Sequence, residues 1–472
     1  MKLGDRTERQ GLWGNGLFLS GATILIFLFF ACTRLNHDSA WLIEATRRWR
    51  DGARLYVDII EVNPPLIFYE MELLSAGALT KTAYIAGVCA AMAASTLWAL
   101  RLKGSLAGYA ALIACALGGI TDFGQRDHLS LVFLIPFLLG DSASRNERIA
   151  LGVWAFLGAG LKPYLLPIPI AAALARAVMQ RSIRPLFSAE MITLGVMCVG
   201  YVFAVWLFHR PYLTNIVPLG QFVYDAYGAV VKPQLAALSV VVVITALIPM
   251  LLRDQERIPL AAATLAALAS FYLQGRNWTY HFIPAVGLGL LLAIWSARQN
   301  RGMALLALGL SLGQLARGPH VRRPPSPIPT GVSSVAFLSA HVFAAYPTSL
   351  DCGVRNETRY PAIWVVPGAW NIAHDSSRSA ADRNRAIHIL QTERSTIRGD
   401  LLRARPQLIY FDARTVKPYF KTAFDYEAFI GHLPGYRRIG RVSTGNLIYD
   451  VWGTGNASVL GPRCDSITVT PS

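Results

Sequence analysis

The sequence predicts a polytopic α-helical membrane protein with a small α/β domain after its last span. Three observations predict it. Hydrophobic residues make up 53% of the 472, with a mean hydropathy of +0.39. Apolar runs near the spanning length of about 20 residues recur up to residue 317. Near residue 318 the composition switches to a Pro-rich stretch and then to a segment of water-soluble character. In such a chain the formal net charge of +16 belongs to loops at a membrane surface, and no nucleic-acid partner is read from it.

The first apolar run, residues 12–31, follows a tail carrying Lys2, Arg6 and Arg9. Its length, and the poor small-x-small site in "ACTRLNH", point to a retained anchor with a cytoplasmic N-terminus rather than a cleaved signal peptide. Further spans are expected near 82–100, 105–121, 129–140, 149–161, 164–178, 190–208, 234–252, 258–273, 282–297 and 303–317, which makes about eleven. An odd number places the two ends of the chain on opposite sides.

The positive-inside rule agrees with that count. The inner loops hold Arg101 and Lys103, Arg145 and Arg148, Arg181 and Arg184, Arg253 and Arg257, and Arg298 and Arg301. Outer loops hold single bases, Arg126, Lys162 and Arg276, or the spread pair Arg210 and Lys232. The opening outer stretch breaks the rule with Arg34, Arg47, Arg48, Arg50 and Arg54. Its charge therefore has a local use.

Residues 318–332, "GPHVRRPPSPIPTGV", read as a linker that no helix tolerates. Residues 333–472 then form a domain of ordinary size. Short β-rich runs at 335–339, 362–366, 408–411 and 447–452 alternate with a helical pattern at 383–402, the signature of a small α/β domain. The predicted topology puts it in the periplasm. Cys352 and Cys464 fall in it, and an oxidising compartment permits them to pair, although spacing alone leaves the pairing open. Asn356 and Asn456 match the Asn-x-Ser/Thr acceptor pattern. There is no internal repeat, zinc-type spacing, Walker A loop or dinucleotide fingerprint.

The outer-side charges carry the functional signal. From Asp38 to Asp51, Trp41, Leu42, Ala45 and Trp49 share one helical face, while Arg47, Arg50 and Asp51 share the other; Gly52 supplies a stop. This is the pattern of a helix lying in the membrane interface with its tryptophans at headgroup depth. Asp38 reads either as a helix cap or as a carboxylate held at the membrane surface for general-base or metal-ligand work. Pro64 and Pro65 end an extended piece and start a second short helix, too acidic at Glu70 and Glu72 to span comfortably.

The second outer loop puts Gln125, Arg126, Asp127 and His128 at the edge of a span. A later one puts Gln274, Arg276, Trp278, Tyr280 and His281 at another, and Lys162 lies between them in apolar surroundings. Each of these alone reads equally well as a snorkelling or capping residue. Charges this close to hydrocarbon face a cavity or a partner. Together, on one side, they would ring an anionic headgroup, since Arg forks and Lys point charges match phosphate oxygens.

A first span, an outer loop opening on Asp38, an amphipathic helix with Trp41 ending at Gly52, then Tyr56, Asp58, Asn63, Pro64, Pro65 and Leu66 form a pattern. It resembles the GT-C fold of polyprenyl-phosphate-dependent glycosyltransferases, the group of the lipid A aminoarabinose transferases and protein O-mannosyltransferases. The resemblance covers the whole architecture and is strongest over residues 34–140.

It implies a transferase of the bacterial inner membrane that moves a sugar from a polyprenyl-phosphate donor to a glycan, lipid or protein acceptor. Asp38 matches the family's catalytic first-loop acid. Arg126, Lys162, Arg210, Arg276 and His281 would hold the donor phosphate. Asp58, Glu61, Asn63, Asp127, His128, Gln274, Trp278 and Tyr280 would face sugar or acceptor. Many members follow the first acid with a second, where this chain has Ser39, so a paired-carboxylate mechanism lacks its partner. No metal ligands are assigned; a divalent cation, magnesium or manganese, is the cofactor the family admits.

Two rival readings fit the same residues. One is a transporter or flippase of a lipid-linked glycan, which also needs bases near phosphate; the other is a non-catalytic lipid-binding membrane protein. A ligase using a diphosphate-linked donor ranks lower, because a large loop between late spans is expected there instead of a terminal domain.

Overall fold

The computed structural model describes residues 3–227, 232–276, 278–317, 327–414, 417, 419–444, 446–454 and 464; the side chains of 3–13 and 142 lie outside that description. The chain divides into two compact units. Unit 1 comprises Met1–Asn36, Asn63–Phe208 and Ala229–Val321, and unit 2 comprises His37–Val62, His209–Gly228 and Arg322–Ser472.

In chain order the helices begin with α1 (Leu3–Cys32), α2 (His37–Arg50), α3 (Leu66–Leu74), α4 (Lys81–Lys103) and α5 (Ser105–Gly118). They continue with α6 (Arg126–Leu139), α7 (Arg145–Ala159), α8 (Pro167–Met179), α9 (Ala189–Phe208) and α10 (Val217–Tyr224). The last four before the sheet are α11 (Pro233–Leu251), α12 (Ile258–Leu273), α13 (Ile283–Ser296) and α14 (Arg301–Arg317). Each of the eleven expected spans coincides with one of these helices.

Among the described residues, five stretches are long and apolar enough to cross a membrane: Gly14–Cys32, Lys81–Lys103, Ala189–Phe208, Pro233–Leu251 and Thr279–Ser296. By length and composition these are five of the eleven expected positions. The helices at the other six positions run to only 13–17 residues. At 1.5 Å per residue such helices reach roughly 20–26 Å, short of a hydrocarbon core of about 30 Å.

Unit 1 is apolar on the outside as well as within. α1 exposes Leu25 and Phe29, α9 exposes Val199 and Phe203, α11 exposes Val240 and Leu251, and α14 exposes Leu305 and Leu312. α6 and α13 are buried almost throughout. A helix bundle with a lipid-facing surface has this distribution. Small residues let its helices approach: a Cβ at Gly287 would stand 2.2 Å from Leu131.

Ion pairs join the helix ends that the charge rule assigns to the inner side. Lys103 bonds Asp141 at 2.7 Å and Glu256 at 3.2 Å, Trp98 donates to Glu147 at 2.8 Å, and Arg148 meets Glu190 at 2.7 Å.

Unit 2 contains a five-stranded sheet of β1 (Ser334–Leu338), β2 (Arg355–Asn356), β3 (Leu408–Asp412), β4 (Tyr436–Thr444) and β5 (Leu447–Thr454) in the order β2-β1-β3-β5-β4. β1 runs parallel to β2 and β3; β5 runs antiparallel to β3 and β4. The helices between the strands are α15 (Thr348–Asp351), α16 (Val365–Ala373), α17 (Ala380–Ala404) and α18 (Tyr426–Ile430). α16 and α17 close the core over Ala336, Leu338, Ile409 and Phe411.

Besides the short unexpected β2, two differences from expectation arise in the sheet. Residues 362–366, β-branched and aromatic, lead into α16 instead of forming a strand, since Pro367 suits a first helical turn. β4 was not expected because Arg437, Arg438 and Arg441 obscure its period; it is an edge strand, where charge is an asset, and Arg438 and Arg441 both bond Asp450.

The domain boundaries also move. Unit 2 takes in 37–62 and 209–228, both expected to belong with the spans. Trp41, expected at headgroup depth, is buried in protein: it donates from Nε1 to Glu61 at 2.6 Å and its ring lies 5.4 Å from that of Tyr346. Arg48 donates to the carbonyls of Asn356 and Thr358. In α10, Val223 packs so closely that a Cβ on Gly368 would overlap its carbonyl, and the nearby Tyr227 hydroxyl donates to the Trp364 carbonyl. The apolar face of α2 finds a protein partner in place of lipid.

Cys352 and Cys464 are joined by a disulfide, S–S 2.07 Å. Of the expected linker, 318–326 lie outside the described residues, whereas Ile328 is fully buried and the Pro327 carbonyl accepts from Tyr410 at 3.0 Å. Asn356 is buried, and Asn456 lies outside the described residues.

Candidate functional site

The connection between α5 and α6 in unit 1 is a tight turn with specific local requirements. Gly124 takes φ +74°, a conformation open to glycine, and its carbonyl accepts from the Tyr84 hydroxyl. Gln125 caps α6 by accepting from the Asp127 N–H at 2.8 Å. This places Arg126 and Asp127 in the first helical turn, both buried. Lys162 is extended, because Pro163 follows it, and it leads from α7 towards α8.

Lys162 Nζ meets Asp127 Oδ2 at 2.5 Å, and the carboxylate is wholly shielded from solvent. The other oxygen, Oδ1, has no hydrogen-bond partner among the described residues. Lys162 also lies 5.1 Å from the centroid of the Tyr280 ring, a cation–π distance. Tyr280 in turn lies 4.5 Å from the ring of His281, and Trp278 lies 5.5 Å from it on edge. His281 is 6% exposed, with Nδ1 unbonded among the described residues. The charges acting on it are those of Lys162, Arg126 and Arg276.

Unit 1 therefore gathers Arg126, Asp127, Lys162, Arg276, Trp278, Tyr280 and His281, residues from three separate loops. Three permanent cations accompany one carboxylate, at the positive end of the α6 dipole. The arrangement can hold an anion: the Arg groups offer planar forks and Lys162 a point charge already oriented by Asp127.

Other expected residues have structural work. His128 accepts from the Gly124 N–H at Nδ1, 3.0 Å, which leaves Nε2–H to donate to the Cys115 carbonyl, also 3.0 Å, so both ring nitrogens are committed to backbone. Gln274 donates to the Ser270 carbonyl at 3.1 Å and ends α12. In unit 2, Glu61 holds Trp41, and Asp58 pairs with Arg54 at 2.9 Å across one exposed turn. Asn63, the first residue of the second segment of unit 1, is buried. Arg210 is exposed in unit 2 and does not belong to the cluster of unit 1.

Asp38 lies in the first turn of α2, inside the helix and not at its cap, where a carboxylate favours the dipole. His37 Nε2 stands 3.6 Å from its Oδ1.

Sequence reasoning missed Asp122. It accepts from Asn36 at 2.6 Å and from the Thr121 hydroxyl at 2.8 Å, tying the residues after α1 to the α5–α6 connection. Beside it opens a small cavity lined by Phe30, Thr33, Arg34, Leu35, Ile120 and Phe123. The signal available was the acid three residues before Gln125. Glu70 was noted only as acidic; it is buried with both oxygens unbonded among the described residues, and burial pushes its carboxyl well above the usual range.

A divalent cation needs several oxygen donors. Among the described residues no three His, Cys, Asp or Glu side chains come together in such a set. Asp127 is already engaged by Lys162, and Ser39 stands beside Asp38. These residues do not fit a resident metal, and no step is derived through one. Compared with models of known protein families the chain matches none, and no curated protein matches it.

Proposed function

We propose that the chain is a multi-pass membrane glycosyltransferase of the GT-C type, moving a sugar from a polyprenyl-phosphate donor to an acceptor hydroxyl. The observation that carries this reading is the cluster of Arg126, Lys162 and Arg276, in which three cations accompany a single carboxylate, Asp127, with Arg126, Lys162 and Asp127 buried. Cations gathered this close to hydrocarbon favour an anionic ligand. A lipid phosphate is the anion met at that depth.

In the reaction, an acceptor oxygen forms a bond to the anomeric carbon as the bond from that carbon to the donor phosphate breaks. The electron pair leaves on the phosphate oxygen. Arg126, Lys162 and Arg276 stabilise that growing charge electrostatically, with Asp127 orienting Lys162. Asp38, assigned through the resemblance, takes the hydroxyl proton as general base. The products are a glycoside and polyprenyl phosphate, and the balance needs no other reactant.

The finer topology belongs to the same proposal: eleven spans, the N-terminus in the cytoplasm, and unit 2 in the periplasm of a bacterial inner membrane. The three segments of unit 2 are separated by six helices, α4 to α9, and then four, α11 to α14. Both numbers are even, so the segments emerge on one side if every helix crosses. A disulfide in unit 2 suits an oxidising compartment.

The test is mass spectrometry of lipids retained by the gently purified protein, against the Arg126→Ala/Arg276→Ala double variant. Polyprenyl phosphate, bare or glycosylated, in the parent and lost from the variant is the expected result; bulk phospholipid alone in both refutes it. The shielded Lys162–Asp127 pair is also what a flippase would use. Glycoside formation in detergent solution, where there are no two sides to transport between, separates the two readings.

A further inference from the structure

A second polar cluster lies in unit 2, at the carboxyl ends of the parallel neighbours β1 and β3, and none of the roles above uses it. Open α/β sheets bind ligands outside the carboxyl ends of their strands. Ser339 and His341 follow β1; Asp412 ends β3, and Arg414 follows it. The Ser339 hydroxyl donates to Asp412 at 3.1 Å, and Arg414 forks onto both carboxylate oxygens at 2.9 and 2.5 Å.

His341 is 7% exposed, and its Nε2 has no hydrogen-bond partner among the described residues. The hydroxyl of Tyr426, a residue 1% exposed, also lacks one there and lies within electrostatic reach of Asp412 and Arg414. Burial and the Arg414 charge lower His341 to about 4, so its ring is neutral near pH 7.

The rim is aromatic and leads towards the first-loop acid inside the same unit. Phe343, 46% exposed, lies 4.5 Å from the His341 ring and 6.0 Å from that of His37, whose Nε2 is 3.6 Å from Asp38.

We propose that this strand-end cluster is the acceptor subsite and that the acceptor it takes is a saccharide. The proposal rests on reading Asp38 as the general base. Sugar hydroxyls both donate and accept, which matches a carboxylate–guanidinium fork together with a neutral imidazole nitrogen and a phenol. The apolar face of a pyranose packs on an exposed ring such as Phe343. An anionic group is a poor fit, because Arg414 is already neutralised by Asp412, and an aliphatic chain would leave the polar atoms unbonded.

The test is saturation-transfer NMR on the full chain, in a detergent without a sugar headgroup. Glucose, galactose, N-acetylglucosamine and mannose serve as probes against the parent, Phe343→Ala and His341→Gln. Phe343 is half exposed, so its alanine variant keeps the fold. At least one sugar is expected to bind the parent, with affinity at least fivefold weaker in each variant and retained lipid unchanged in Phe343→Ala. No saturation in the parent, or equal signals in all three proteins, overturns the subsite. If such a null comes with polyprenyl phosphate still retained, the transferase reading stands without this subsite. If sugars bind as expected but no polyprenyl phosphate is retained, the acceptor role falls with the transferase reading.

Discussion

Replacing Lys162 by Met should be among the most disruptive single changes in unit 1, and adding Asp127→Leu should repair most of the damage. At 2.5 Å and an effective dielectric of 20, Coulomb attraction between the two charges is about 6–7 kcal/mol. Desolvation of each ion opposes this by several kcal/mol, so the pair is close to neutral against an apolar replacement. Removing one partner is different. The remaining Asp127 carboxylate, with no exposed surface, keeps its desolvation cost and loses its attraction, a destabilisation of about 3–5 kcal/mol. The double variant should return to within about 1–2 kcal/mol of the parent.

The assay is reversible unfolding of the detergent-solubilised chain in mixed micelles, followed by tryptophan fluorescence and analysed as a double-mutant cycle. Donor-lipid retention should be lost in both variants, because the phosphate contact from Lys162 is gone whether or not stability is restored. Additive destabilisation, with the double variant worse than either single, refutes the buried-pair account. Restored stability with restored lipid retention refutes the role of Lys162 in holding phosphate.

Asp38→Asn should abolish transfer while lipid retention stays as in the parent; equal turnover of variant and parent removes the base assignment. Cys352→Ser opens a loop spanning 112 residues, and the chain-entropy model puts the loss at about 5 kcal/mol; denaturation of the parent with and without reductant should show the same difference. His341 titrates at about 4 when folded, against 6.5 ordinarily, because of burial and Arg414. Between those values the unfolded chain binds the extra proton, so unit 2 should lose about 3 kcal/mol as pH falls from 6.5 to 4, and His341→Gln should flatten that slope. Gly119→Ala would bring a Cβ within 2.4 Å of the His128 ring, which two backbone bonds hold in place; a loss of about 1–3 kcal/mol and weaker lipid retention are expected.

Long apolar helices such as α4, α9 and α11 were legible because hydropathy alone marks them. The short helices α5, α6 and α8 were found at the right places, but their lengths were not, because apolar loops blur the ends. The cation cluster of unit 1 was legible in part, since Arg126, Lys162, Arg276 and His281 each stand out against neighbouring hydrocarbon. That Lys162 is tied to Asp127 was not, for the two are 35 residues apart and only tertiary packing joins them. His128 looked equally chemical, yet its bonds run to backbone groups that no side-chain pattern encodes. In unit 2 the amphipathic period of α2 was read correctly and its partner wrongly, because a helix face finds lipid or protein with the same residues. The strand-end cluster of Ser339, His341, Asp412 and Arg414 depends on the parallel pairing of β1 with β3, which the chain does not announce.

The way unit 2 is assembled also sets an order on biogenesis. α2 emerges early, but Tyr346, which packs on Trp41, and the Asn356 and Thr358 carbonyls that receive Arg48 are made only after the helices of unit 1. About 260 residues separate Val62 from Arg322, roughly 10–50 s of synthesis at 5–20 residues per second. Through that interval the apolar face of α2 lacks its native cover and stays open to other apolar surfaces. A chain halted before Arg322 would leave that face without the partners that Tyr346, Asn356 and Thr358 supply, and prone to degradation.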